Sequence, residues 1–244
     1  LSSSEKTKNA LEELALMLGM KNIPEYIESY DISHTDGADN VAGMIVFKGG
    51  KPLKSAYRRF EIKGFSGQDD YRSMAEVLTR RFNEYEKAKH DNPSEGFGKK
   101  PDLILLDGGI GQVNAVKPVL ESFGLSDIAL FGMVKDNRHR TKAISSLGGE
   151  ISISANKNVF SLVTNIQDED HRFSVAYQHK KHTKSALAAS LTDIKGIGEK
   201  KAKNLIIKFK TMETIRNAAK AELMSVPGIT EANAIEIIKA FRGE

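Results

Sequence analysis

The chain has 244 residues, 40% of them hydrophobic, with a formal net charge of +4 from 36 basic and 32 acidic side chains. That is enough apolar material for one large or two smaller globular domains, and the slight basic excess favours an anionic partner. The absence of cysteine excludes a disulfide framework, a thiolate nucleophile and a zinc ribbon, and no apolar run reaches transmembrane length, so a cytoplasmic protein is expected. The first residue is Leu1 where a start would place Met, which reads as an excerpt of a longer protein.

Residues 5–18, EKTKNALEELALML, carry apolar positions at helical spacing and predict a lead-in helix, with Pro24 marking a fresh start after Gly19. Three strand-like stretches follow: YIESYDIS from Tyr26, NVAGMIVFKGG from Asn40 and KPLKSAYRRFEI from Lys51, joined as in an antiparallel meander. One residue in the first is out of place. Aspartate is among the poorest strand formers, so Asp31 either begins a turn early or is held there for its charge. After Gly67 the stretch DDYRSMAEVLTRRFNEYEKAK predicts a long amphipathic helix opened by Asp69 and Asp70, then a polar loop, HDNPSEGFGKKP. The run DLILLDGG predicts a strand buried on both faces, with Asp107 at its carboxyl end before the glycine turn GGIG. A helix, GQVNAVKPVLESF, a strand, IALFGMVK, a hairpin, AISSLGGEISIS, and a helix from Lys157 complete the first part. A meander followed by α-β-α-β is the order of an RNase H-like fold, a mixed sheet flanked by helices.

The helix from Lys157 carries RFSVAYQHKKHTK, in which Arg172, Lys180, Lys181 and Lys184 face no acid within the stretch. Such a run is a solvated helix face or a track for a phosphate backbone. The small-residue join HTKSALAAS leads to the last segment and predicts some relative motion. We expect a first domain over residues 1–186 and a second over 187–244.

The second domain contains an internal repeat. LTDIKGIGEKKAKNLIIKF aligns without a gap with LMSVPGITEANAIEIIKAF, matching Leu191 to Leu223, Gly196 to Gly228, Ile197 to Ile229 and Ala202 to Ala234. Each unit reads as helix, glycine hairpin, helix, and the pair resembles a tandem helix-hairpin-helix domain. Glycine permits the tight turn, and bare N–H groups at a helix start cradle a DNA phosphate. Gly196, Gly198, Lys200 and Lys201 in the first hairpin, and Gly228 in the second, are the candidate contacts, with Lys195 and Lys203 adding charge. The second hairpin lacks the second glycine and the lysines, so it is expected to pack more than to bind; a purely structural helical domain is the alternative.

The acids of the first domain admit two readings each. Ligands gather at the carboxyl ends of strands in α/β sheets, where Asp107 falls, yet an acid there also caps the next helix. If the strands of Asp31 and Asp107 are neighbours, their carboxylates face one another, and a divalent cation is the natural third party. Asp70 opens a helix, which capping explains, or it shares in catalysis. His171, between Asp170 and Arg172, is structural, exposed, or functional.

The stretches DISHTDG, YRRFEIKG, DDYRSM, LILLDGGIGQV, GMVKDNRHRTKA and DEDHRFSVAYQHKKHTKS, in this order and followed by two helix-hairpin-helix units, resemble the C-terminal half of the UvrC family, the nuclease subunits of bacterial nucleotide excision repair. The resemblance covers essentially the whole chain. It implies a metal-dependent DNA endonuclease that cuts on the 5′ side of a lesion, with Asp31, Asp107 and His171 as the catalytic constellation and Asp70 as a further carboxylate. It implies that Asp31 and Asp107 hold Mg²⁺ or Mn²⁺, with His171 a ligand or an acid–base group, while Lys180, Lys181, Lys184 and the first hairpin position lesion-bearing double-stranded DNA. It implies UvrB as a partner, through parts absent from this sequence, and a 3′ cut made by an absent domain. At the glycine turn the family's usual lysine is Ile110 here, which bears only on a phosphate contact. A resolvase or recombinase of the RNase H superfamily, or a non-catalytic DNA-binding scaffold, are the competing classes.

Overall fold

The structure, a computed structural model, describes residues 2–35, 38–62, 69–94, 96–136 and 141–242, without the side chains of Ser3, residues 34, 35 and 38–40, and residues 178–182. It divides into two compact units, residues 1–176 and 177–244.

The first unit is a mixed sheet between two helical layers, as the element order predicted. In chain order come α1 (Ser3–Met17), β1 (Tyr26–Thr35), β2 (Ala38–Lys48), β3 (Lys51–Pro52), β4 (Arg58–Glu61), α2 (Asp70–Ala88), β5 (Leu103–Asp107), α3 (Ile110–Ser122), β6 (Ala129–Lys135), β7 (Thr141–Ser146), β8 (Gly149–Ser152) and α4 (Lys157–Thr192). The strand order is β3-β2-β1-β5-β6-β7-β8, with β4 also on β2. β1 pairs antiparallel with β2 and parallel with β5, and β5 runs parallel to β6. α1 starts with a capping box, in which Ser2 accepts the Glu5 amide at 3.2 Å and the Glu5 carboxylate accepts the Ser2 amide at 2.7 Å.

Alternation along the strands decides which residues meet which layer. Tyr26, Tyr30, Ile104 and Leu106 join Met74, Val77, Leu78 and Phe82 of α2 and Val113 and Val116 of α3 in one core. Ile27, Leu103 and Leu105 point to the opposite face and join Leu11 and Leu14 of α1 and Val159, Val163 and Ile166 of α4. The same parity puts Glu28 under α2, where the fully buried Arg81 guanidinium reaches it at 2.7 Å and also donates to the carbonyls of Phe97 and Lys99. Asp31 and Asp107 continue the other parity, on the α4 face.

The expected third meander strand is broken. Lys51–Pro52 and Arg58–Glu61 both pair with β2, but the register changes between Phe47↔Pro52 and Met44↔Arg58, and the surplus residues Lys54–Ala56 form a 3₁₀ turn. Pro52 has no amide to extend the ladder, and Lys54, Ser55 and Ala56 are weak strand formers. The expected join HTKSALAAS is helical too, part of the 36-residue α4, because alanines favour a helix over a loose connector.

The second unit holds the repeat. After α4 come α5 (Glu199–Phe209), α6 (Met212–Asn217), α7 (Lys220–Met224) and α8 (Glu231–Arg242) around a core that includes Leu191, Ile197, Ala202 and their partners Leu223, Ile229 and Ala234. Gly196 and Gly228 take φ of 80° and 87°, a conformation that side chains oppose, so both turns need glycine. Each turn closes on one bond, Ile197 N–H to Ile194 O at 3.0 Å and Ile229 N–H to Val226 O at 3.1 Å.

Candidate nuclease site

Asp31 and Asp107 stand side by side. The parallel register of β1 and β5 pairs Tyr30 with Leu106, so the next residue on each strand is a carboxylate on the α4 face. Asp31 is 8% exposed and Asp107 lies half-buried at the strand end. Burial first, and then the charge of Asp107, push the Asp31 carboxyl up to about 7, while the Ser174 hydroxyl and the Lys135 ammonium pull the other way.

Asp107 is held by two named partners. Lys135 Nζ donates to Asp107 Oδ2 at 2.7 Å, and the Gln167 amide donates to Asp107 Oδ1 at 2.9 Å. Gln167 is itself fixed by Thr141, whose hydroxyl donates to its carbonyl. α4 thus reaches Asp107 through Gln167, and Ser174, seven residues and two turns further along the same helix face, is buried against Gly43, the residue paired with Asp31. Gly43, paired with Asp31, lets α4 approach, since a Cβ there would lie 3.0 Å from Ser174 Oγ and 3.2 Å from the Phe173 ring. Arg59, next across the sheet, stacks its guanidinium 3.7 Å from the centre of that ring and donates to the Phe173 carbonyl at 3.2 Å.

Between Gln167 and Ser174 lie two residues with opposite environments. Asp170 is fully buried, takes the Ser29 hydroxyl at 2.5 Å on Oδ2, and leaves Oδ1 without a hydrogen-bond partner. Burial and the charge of Asp31 raise its carboxyl well above the usual range. His171 is exposed on the same two turns of helix. Asp70 is the half-buried first residue of α2, next to the N-cap Asp69, which accepts the Arg72 amide at 3.0 Å. The start of α2 abuts the start of α3, for a Cβ on Gly111 would lie 2.5 Å from the Tyr71 hydroxyl.

The donor set suits a hard divalent cation: two adjacent carboxylates whose mutual repulsion is only partly offset by one ammonium, with a third buried carboxyl oxygen lacking a partner. Among the described residues, no three histidine, aspartate or glutamate side chains stand close enough to enclose an ion as they are. Sequence reading missed Lys135, Gln167, Asp170 and Ser174. The one signal for the last three was the phase of α4, whose buried positions Val159, Val163 and Ile166 continue at helical spacing to 170 and 174.

In the second unit, Gly198 caps α5 without a side-chain bond, so the first amides of that helix are open, and Lys195, Lys200 and Lys203 are exposed around them. Lys201 turns inward instead, donating to the Gly196 carbonyl at 2.9 Å and to Asn233 Oδ1 at 2.8 Å in the other repeat. At the second hairpin, beside Gly228, Thr230 and Asn233 satisfy each other's amides. Lys184 is exposed, whereas the side chains of Lys180 and Lys181 lie outside the described residues. No helix among the described residues is long and apolar enough to cross a membrane.

Residues 15–175 match the family described as the UvrC RNase H endonuclease domain, and residues 188–243 match the SAM-like helix-hairpin-helix tandem. The chain is 44% identical over its full length to the UvrABC system protein C of Clostridium acetobutylicum and 43% identical over 99% of its length to that of Clostridium perfringens, covering 40% of each. The chain therefore spans about 40% of the length of these relatives. Among solved structures, an endonuclease V of Ciona intestinalis in complex with inosine-containing DNA is 20% identical over 46% of this chain and 47% of that one, at a TM-score of 0.32, a likeness too slight to carry an argument.

Proposed function

Because the chain belongs to the UvrC family, with its RNase H-like endonuclease domain and helix-hairpin-helix tandem, we propose that it hydrolyses a DNA phosphodiester on the 5′ side of a lesion. The observation that carries this reading is the pair Asp31 and Asp107, adjacent on parallel strands, where the charge of each opposes ionisation of the other and a cation relieves the opposition. Mg²⁺ or Mn²⁺ held by these two supplies charge neutralisation at the scissile phosphate and a lower pKa for an attacking water.

The chain's own residues do the rest. Gln167 and Lys135 fix the Asp107 carboxylate, so its oxygens are set before substrate arrives. His171, exposed on the turns of α4 between Gln167 and Ser174, would in this reading ligate the cation or pass a proton to or from the reacting oxygens. Asp70, the first residue of α2, would be a further carboxylate for the same step.

The division of labour we infer is residues 1–186 for the cut and 187–244 for the grip on double-stranded DNA. Gly196, Gly198 and Lys200 offer open amides and charge to a phosphate, Lys180, Lys181 and Lys184 add charge, and none of them reads bases. In the second hairpin the Thr230 and Asn233 amides are taken by each other's side chains, which favours packing there. Lesion recognition and loading then belong to UvrB, in the cytoplasm.

The test is substrate choice. A full-length protein carrying this sequence is offered a UvrB-loaded lesion duplex already nicked on the 3′ side, and a four-way junction, each with Mn²⁺. A single 5′ nick in the lesion duplex supports the reading; symmetrical cutting of the junction alone would identify a resolvase, and cutting of neither a DNA-binding scaffold.

A further inference from the structure

Lys135 closes β6, where the pairing with β7 shifts register between Val134 and Lys135, a local irregularity of the kind that re-aims a side chain. Its side chain is 27% exposed, and its ammonium lies 2.7 Å from Asp107 Oδ2. Its charge also reaches Asp31 and Asp170. One ammonium thus pairs with Asp107 from a side chain that has access to solvent.

Asp107 is also a residue that would hold the divalent cation, so the ammonium stands on a carboxylate the cation needs. Two cations compete there, because at a few ångströms they repel one another. The Lys135 stem is unbranched and its three N–H donors rotate freely, so the ammonium can move a few ångströms at small cost. The anion that arrives with the cation is the phosphodiester itself.

We propose that Lys135 is a catalytic residue that changes partners, holding Asp107 while the site lacks a cation and donating to a nonbridging oxygen of the scissile phosphate once the cation takes Asp107. The inference rests on the nuclease reading given above. Lys135 keeps its proton throughout and forms no covalent bond; its work is to neutralise charge that grows on the phosphate oxygens as the water attacks.

The experiment compares wild type, Lys135→Met and Lys135→Arg in the full-length protein. Mn²⁺ binding is measured by calorimetry without DNA, and single-turnover cutting is measured on the 3′-nicked, UvrB-loaded lesion duplex. Lys135→Met should bind Mn²⁺ about tenfold more tightly, since the competing charge is gone. It should nevertheless cut about a hundredfold more slowly at saturating Mn²⁺, with Lys135→Arg recovering part of the rate. Unchanged Mn²⁺ affinity in Lys135→Met, or wild-type cutting by that variant, overturns the proposal. Weaker Mn²⁺ binding together with a lower melting temperature overturns it as well, by making Lys135 a prop for Asp107. A wild type that cuts with no metal ion tested sinks the nuclease reading instead, and is told apart by the wild-type lane.

Discussion

At the scale of single residues, the strand aspartate is the informative anomaly. Asp31 is buried in a β-strand at a position where an apolar residue would contribute more to stability, and its carboxyl is raised to about 7 by burial and by Asp107, against about 4 in an unfolded chain. Between those values the folded state holds a proton that the unfolded chain has lost. Metal-free stability from this group is therefore full below about pH 4 and is lost as pH rises through about 7. Urea midpoints across that window should fall more steeply for wild type than for Asp31→Asn; equal slopes would contradict the assignment. Asp31 and Asp107 were legible as a pair because the apolar runs around them set strand parity and the element order set adjacency. Asp170 was not, since within QDEDHR a buried acid looks like any solvent-facing one, and only its place on the finished helix distinguishes it. Arg81 is a parallel case: it reads as a surface cation of α2 yet pairs with Glu28 at full burial. Arg81→Met should cost about 3–5 kcal/mol in urea unfolding, because it leaves Glu28 buried and uncompensated; a loss under about 1 kcal/mol would show that Glu28 relaxes to water.

At the scale of elements, the site is a meeting of strand ends with one helix, and glycines set how closely they approach. A Cβ on Gly132 of β6 would lie 2.3 Å from the Gly108 carbonyl oxygen, in the turn that follows Asp107. Gly132→Ala must shift that turn, so it should lose about 1–3 kcal/mol of stability and bind Mn²⁺ more weakly. Gly148→Ala, in the β7–β8 turn, meets only Ser146 Oγ at 3.6 Å and should leave both unchanged. If both variants behave alike, the close approach at Gly132 does not position Asp107. β5 was the easiest element to read, because burial on both faces makes LILLD a continuous apolar run. The strand predicted from Lys51 was read as one piece because alternation persists across it, whereas the three-residue register change between β3 and β4 depends on β2, which local pattern cannot show. The helical join after His182 was missed for the opposite reason: small residues suggest a linker, but alanine is also the strongest helix former.

At the scale of the whole molecule, we assign cutting to one unit and binding to the other, and the two repeats make the second assignment testable. Lys200 is exposed beside open helix amides, while Lys201 is bonded to Gly196 and Asn233. Replacing Lys200 by Ala should weaken duplex binding for all sequences alike and lower the slope of log affinity against log salt by about 1. Lys201→Met should instead lower thermal stability by about 1 kcal/mol through its lost hydrogen bonds, with the salt slope unchanged. The reverse pattern would mean that the inward lysine is the phosphate contact. The repeat itself is legible in the sequence, because two turns that both require positive φ demand glycine at matching positions. The central claim, that the carboxylate pair performs metal-dependent cutting, is tested most directly by one mutant. On a lesion duplex pre-nicked on the 3′ side and loaded with UvrB, a full-length protein carrying this sequence should make a 5′ cut with Mn²⁺ and none without it, and Asp107→Ala should abolish that cut. Equal cutting by Asp107→Ala would contradict the two-aspartate site.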